Sequence, residues 1–210
     1  MMNLKTSGDE SFNPNPSFTV LSYNLLADIY ATQDRHRLCP WQALEWGYRS
    51  QNLIQEILHY GADIMCLQEV QSDHYMEFFL PVFEAYGYEG FYKRKNNRYR
   101  AVVDGCATFI RRDRLECVEQ TTIEFSDLVE DVPAKMSSEP EKWNQLAKRR
   151  FCKDNIAQVM ILAFKEQKNG PNRRVRIVNT HIHSQPTNSD VKLWQFNYLL
   201  ATLKQEKVND

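Results

Sequence analysis

The stretch Ala62–Val70, ADIMCLQEV, limits the fold more than any other part of this sequence. It is apolar almost without a break until Gln68 and Glu69 close it, which is the pattern of a strand covered on both faces. Such a strand belongs inside a layered α/β arrangement. FTVLSYNLL supplies a β-rich run from Phe18 into Asn24. The helical spacing of Leu53, Ile54, Ile57 and Leu58 predicts a helix over 41–60, with Gly61 as its stop. A second helix is expected from Ser72 to about Tyr86, capped by Ser72 or Asp73.

Strand composition recurs at 88–95, 105–112 and 116–125, with Asp113 and Arg114 read as a hairpin turn between the last two. Residues 126–150 read as loop or short helix. The segments 155–164 and 173–184 read as two strands, and the turn-like KNGPN between them predicts an antiparallel pair. A final helix is expected over 190–204, with Val191, Trp194 and Tyr198 on one stripe. The order βαβα, then ββββ, then α implies a mixed sheet with helices on its outer face. Residues 1–17, polar and proline-containing, read as a flexible lead-in to a domain over 18–210.

Composition narrows the function classes. With 42% hydrophobic residues in 210, the chain can bury a core as one domain or a large part of one. Its formal net charge of -1 provides no global basic field, so binding to a polyanion would rest on local patches and metal ions. No apolar run approaches the roughly 18 residues of a membrane span, and the N-terminus lacks a signal-peptide stretch. The five cysteines are scattered without CxxC spacing, which argues against a disulfide framework or structural zinc and for a reducing, intracellular setting.

Three strand ends carry polar residues of similar character. Asn24 ends the first strand, Glu69 the second, and Asn179, His181 and His183 alternate at the end of the last. Taken singly, Asn24 suits a turn, Glu69 a surface or a helix cap, and the histidines backbone-bonded, partly buried rings. Taken together, at strand ends where clefts form, they suit a metal and a phosphate. Mg²⁺ prefers hard carboxylate oxygens and keeps several waters, so Glu69 can serve as its main ligand. Asn24 can orient that carboxylate, and His181 can donate to a nonbridging phosphate oxygen.

LSYNLLAD, YRSQNLIQEIL, ADIMCLQEVQ, VDGCATFIRR, CKDNIAQVMIL and VNTHIHSQPTNSDVKLWQ together resemble the endonuclease/exonuclease/phosphatase superfamily. Within it they are most similar to the carbon-catabolite-repressor-type poly(A)-specific exoribonucleases, the deadenylases related to nocturnin and angel. The resemblance implies the N-terminal half of a two-sheet α/β sandwich. It implies catalytic roles for Asn24, Glu69 and His181, Glu69 as the ligand of Mg²⁺ or Mn²⁺, and substrate contacts at Asn155, His183 and Pro186, with Asp154 beside the cleft. The implied partners are single-stranded RNA, poly(A) and a deadenylase complex, in the cytoplasm or also the nucleus, with no membrane.

Family members continue into a second half with a Gly-Asp-x-Asn motif and a closing Ser-Asp-His motif. The chain is expected to lack both, and no Gly-Asp-x-Asn string occurs in it. Two consequences are expected: the inner face of its sheet is left uncovered as an apolar patch, and the chain alone has little or no activity. A change of substrate within the superfamily, to a 2′-phosphate or a nucleotide, and a non-catalytic interaction module that uses the bare sheet face remain the alternative readings. Interleaved basic and aromatic residues in YKRKNNRYR suit a single-stranded backbone or, equally, a solvated loop.

Overall fold

In the computed structural model, which describes residues 17–97, 103–126, 140–165 and 173–205, the apolar run becomes β2 (Ile64–Gln71). It pairs in parallel with β1 (Val20–Asn24) and antiparallel with β4 (Asp104–Arg111), and β3 (Tyr88–Arg94) adds beyond β4. A parallel pair needs a crossover, supplied here by α1 (Trp41–Leu44) and α2 (Trp46–Tyr60). The expected single helix is broken because Glu45 is extended. Gly61 ends α2 in the left-handed region at φ 54, where a side chain would be strained.

The second expected helix is continuous but not regular. It runs as α3 (Ser72–His74), a π-helical stretch over Tyr75–Phe79 and α4 (Leu80–Ala85). Pro81 follows the wide turn, and its ring would conflict with the carbonyl four residues earlier in a regular helix.

The alternation along β2 shows what covers each face. Met65, Leu67 and Val70 pack with Phe109 of β4 beneath Ile57, Phe79 and Phe83 of the helical layer. Ile64 and Cys66, with Ile110, point the other way and meet Leu115, Met160 and Leu162. Those three belong to a second, wholly antiparallel sheet, β5 (Leu115–Glu124), β6 (Ile156–Phe164) and β7 (Arg174–Thr180). Its far face packs Ala157, Val159 and Ile123 against Leu199, Trp194 and Tyr198 of α6 (Ser189–Gln205). The chain is therefore a helix–sheet–sheet–helix stack, and α5 (Pro140–Phe151) lies beside α6 through a Phe151–Trp194 ring contact at 5.4 Å.

Three expectations are corrected here. The inner face of the first sheet is covered, because the chain's own β5–β7 form the opposing layer. Asp113 and Arg114 do not close a hairpin, since β4 and β5 lie in different sheets. The turn carries the chain from one sheet to the other, fixed by an Arg114–Asp63 ion pair at 2.7 Å and by Lys165 N–H donating to the Arg114 carbonyl at 2.8 Å. β7 ends at Thr180, so His181 and His183 follow the strand. The lead-in and the KNGPN turn lie outside the described residues, apart from Ser17.

Replacing Met160, buried between the sheets, by Ala removes packing on both layers and is expected to cost about 2–5 kcal/mol in urea unfolding. Val118→Ala, at an exposed site on the same sheet, should stay within about 0.5 kcal/mol. Equal effects would contradict a dry interface between the sheets.

Candidate active site

One extra residue in β2 builds the site. Up to Gln68, even-numbered residues face the second sheet and odd-numbered ones the helices, so a regular strand would drive Glu69 into the apolar layer. Instead the register shifts between Gln68, opposite Cys106, and Val70, opposite Gly105. Val70 takes the helix-facing place, and Glu69 is left out of the ladder at φ 54. A glutamate in that conformation is uncommon and costs roughly 1–2 kcal/mol. Gly105, across the bulge, has no room for a side chain: a Cβ there would stand 2.2 Å from the Lys93 carbonyl oxygen.

The freed carboxylate is gripped by the end of β1. Asn24 Nδ2 donates to Glu69 Oε1 at 2.9 Å, and Ala27 N–H donates to Oε2 at 3.3 Å. Asn24 Oδ1 in turn accepts from Leu26 N–H at 2.9 Å, closing a turn in which Leu26 also has a positive φ, 57. Arg49 of α2 anchors this turn, donating to the Leu25 carbonyl at 2.7 Å and to that of Leu26.

The second sheet delivers the histidines. Asn179 at the end of β7 is buried and spans the two layers: it accepts from Gln68 Nε2 at 2.9 Å and donates to the Ala107 carbonyl at 3.0 Å and Thr108 Oγ1 at 3.2 Å. Two residues on, the His181 imidazole is partly buried with Nδ1 at 3.7 Å from Glu69 Oε1, too far for a hydrogen bond, and that nitrogen has no partner. Asn155 donates to the His181 carbonyl at 2.9 Å, and Gln195 of α6 joins Asn155 Oδ1 (3.1 Å) to His183 N–H (2.8 Å). The His183 ring pairs with Asn188 Nδ2 at 2.9 Å.

These groups surround a cleft of about 690 Å³ lined by Glu69, His181, His183, Lys95, Asp104 and Asp154, among others. Lys95 pairs with buried Asp104 at 2.6 Å, and Tyr30 Oη donates to the same carboxylate at 2.8 Å. Burial pushes the His181 imidazole below its ordinary range, and the Lys95 charge pushes the same way against Glu69. Burial likewise lowers His183.

Of the residues expected from sequence, Asn24, Glu69 and His181 converge, and His183 lines the same cleft. Asn155 has both ends of its amide engaged within the protein, so it positions His181 rather than facing the cleft. Pro186 lies in an exposed turn, next to the cleft-lining Gln185. Lys93 and Lys95 of YKRKNNRYR are paired with Glu124 and Asp104, and residues 98–100 lie outside the described set. One expected absence is corrected by the sequence itself: Ser-Asp-His occurs at 72–74. None of the three lines the cleft. Asp73 accepts from Gln71 Nε2 at 2.9 Å, and the His74 ring stacks on Trp46 at 3.7 Å.

Sequence reasoning missed Arg49, Asp104 and Gln195, and it named Gln68 only as the close of a strand and Lys95 only as a basic residue of YKRKNNRYR. Only the buried-strand position of Gln68 and the acid at the start of β4 were signals in principle. Among the described residues no group of three His, Cys, Asp or Glu side chains converges. A cation held mainly by one carboxylate and water fits what is present, since each Glu69 oxygen keeps a free lone pair and His181 Nδ1 is without a partner.

Two sheets stacked face to face between helices, with an acid–amide–histidine cleft where their strands end, define an α/β sandwich with a polar pocket. Residues 21–207 match the Endonuclease/Exonuclease/phosphatase family, and the chain belongs to it. It is 43% identical over 198 residues to the Carbon catabolite repressor protein 4 homolog 1 of Arabidopsis thaliana, covering 90% of this chain and 33% of that protein. It is 36% identical over 206 residues to the CCR4-Not complex 3′-5′-exoribonuclease subunit Ccr4 of Candida albicans, covering 93% and 25%. The crystal structure of ANGEL2, a 2′,3′-cyclic phosphatase, in complex with adenosine-2′,3′-vanadate, matches with a TM-score of 0.71 and 31% identity, over 90% of this chain and 48% of that one. The chain thus spans a quarter to a third of these curated relatives and about half of the solved chain.

The histidine environment has a consequence for pH. With folded values below the unfolded 6.5, both rings take up protons first in the unfolded chain as pH falls. Their contribution to stability is therefore full above about pH 6.5 and is lost on acidification. NMR titration should place both ring midpoints below 6.5, and Lys95→Met should raise that of His181. A His181 midpoint unmoved by Lys95→Met would contradict the proximity of the two groups.

Proposed function

We propose that this chain supplies the metal- and phosphate-binding part of a Mg²⁺-dependent 3′-5′ exoribonuclease that shortens poly(A) to 5′-AMP. The observation that carries this reading is the buried, partnerless Nδ1 of His181, 3.7 Å from Glu69 Oε1, on two residues that line one open cleft. Support for the reaction class comes from the Candida albicans relative, whose name describes a 3′-5′-exoribonuclease subunit of the CCR4-Not complex. That complex is the proposed assembly for this chain, and single-stranded poly(A) the proposed substrate.

Glu69, oriented by Asn24 and the Ala27 amide, would hold a divalent ion. Bound there, Mg²⁺ would neutralise phosphate charge that otherwise repels the attacking water. His181, kept neutral by burial and by Lys95, would donate from Nδ1 to a nonbridging oxygen and stabilise charge that grows in the transition state. Asn155 and Gln195 fix the backbone on which both histidines ride. No carboxylate besides Glu69 lies free beside His181 among the described residues, since Asp104 is held by Lys95 and Tyr30 and Asp154 accepts from Asn97. Water activation therefore requires a group outside this set; the family resemblance implies that it comes from a second half, and on that ground the chain alone is expected to bind without turning over.

A second reading is favoured by the ANGEL2 match, a 2′,3′-cyclic phosphatase by its title. The module reading loses its motive, because the sheet face it needed is covered.

With Mg²⁺, 5′-labelled oligo(A) should bind more tightly than oligo(U), show no ladder of shortened products, and lose at least about tenfold in affinity in Glu69→Gln. A ladder abolished by Glu69→Ala would overturn the expected inactivity. Preference for an oligonucleotide ending in a 2′,3′-cyclic phosphate over one ending in a 3′ hydroxyl would select the second reading.

A further inference from the structure

We infer that the loop over 33–39 forms a second nucleotide subsite, which takes the part of a single-stranded RNA next to the nucleotide held at Glu69 and His181. The inference rests on the exoribonuclease reading above and deepens it. A separate concavity of about 470 Å³ is lined by Arg35, His36, Arg37, Leu38 and Cys39. Arg35 and His36 also line the main cleft, so one wall serves both spaces and a linear ligand can pass between them.

The loop is built and not slack. The side-chain amide of Gln33 donates to the Cys39 carbonyl at 3.0 Å, with longer contacts to those of His36 (3.3 Å) and Arg37 (3.4 Å). His36 N–H donates to the Thr32 carbonyl at 3.0 Å, and Cys39 N–H to that of His36 at 2.9 Å. With its carbonyls turned inward, the loop presents its side chains outward: Leu38 is fully exposed, and Arg35 and Arg37 are exposed as well. Neither guanidinium has a carboxylate partner among the described residues. Arg35 instead lies over the Tyr30 ring, 5.0 Å from its centroid. Asp34, the loop's one acid, lines neither space.

An ordered loop with an apolar tip between unpaired cations suits a ligand that is anionic along its backbone and flat and apolar at its bases. Single-stranded nucleic acid meets both conditions, with Arg35 and Arg37 on phosphate and Leu38 against a base.

Fluorescence anisotropy with 5′-AMP and with oligo(A) of two, four and eight residues, in Mg²⁺ at several salt concentrations, tests the subsite. Affinity should rise with length. Arg35→Ala and Arg37→Ala should each remove about tenfold from the longer ligands and lower the salt slope by about 0.7, while 5′-AMP binding stays unchanged in Arg37→Ala, which lies outside the main cleft. Leu38→Ser should weaken oligo(A) without altering the slope, and Lys204→Ala, at the far end of α6, should leave both unchanged. Oligo(A) binding that depends on Glu69 but not on Arg35 or Arg37 overturns the subsite and leaves the exoribonuclease reading standing. Oligo(A) binding that depends on neither overturns both.

Discussion

The site depends on a buried amide. Asn179 lies between two sheets that are otherwise held by side chains with no directional preference, such as Ile64, Ile110, Met160 and Leu162. Apolar contacts fix the spacing of layers better than their sliding registry. Asn179 supplies that registry, because its bonds to Gln68, Thr108 and the Ala107 carbonyl are directional and are made where the amide is buried away from water. Thr108 extends the link by donating to Gln158 at 3.0 Å. Glu69 follows Gln68, and His181 stands two residues beyond Asn179, so one polar layer sets the distance between the two groups that matter most.

The bulge is the second constraint, and it works by subtraction. Removing Glu69 from the ladder lets Val70 keep its place among the aromatic side chains of the helical layer while the carboxylate turns into the cleft. Among the described residues, the two non-glycine residues with positive φ, Leu26 and Glu69, meet at this point, and Asn24 and Ala27 hydrogen-bond across it. Strain concentrated at one cleft and held by surrounding bonds is a common property of functional sites. The chemistry of the residues adds the rest: a carboxylate with open lone pairs beside an imidazole whose proton affinity burial lowers, with Lys95 and Asp104 paired to each other nearby.

Much of this was legible in the sequence, for identifiable reasons. The apolar run 62–70 gave the central strand, and the polar residues closing three apolar runs gave Asn24, Glu69 and His181, although Glu69 emerges at a bulge inside β2 and His181 just past β7. The antiparallel pairing of β6 with β7 was legible too, whereas the partner of β5 was not. ECVEQTTIEF alternates as well for a hairpin as for a strand in another sheet, so the change of layer at Asp113 was invisible and the covered face was taken to be bare. The bulge left no trace because neither Leu26 nor Glu69 is a residue that announces a positive φ. Asn155 was placed near the cleft correctly, but its role depends on Gln195, forty residues away.

The claim on which the account rests is that Glu69 from the first sheet and His181 from the second form one cation and phosphate site. Paramagnetic broadening of assigned amide resonances by substoichiometric Mn²⁺ measures this directly. The account predicts that the amides of residues 25–27 and 181–183 broaden together at the same concentration, and that Glu69→Gln abolishes both effects. Broadening of one group without the other, or broadening that survives Glu69→Gln, would contradict it.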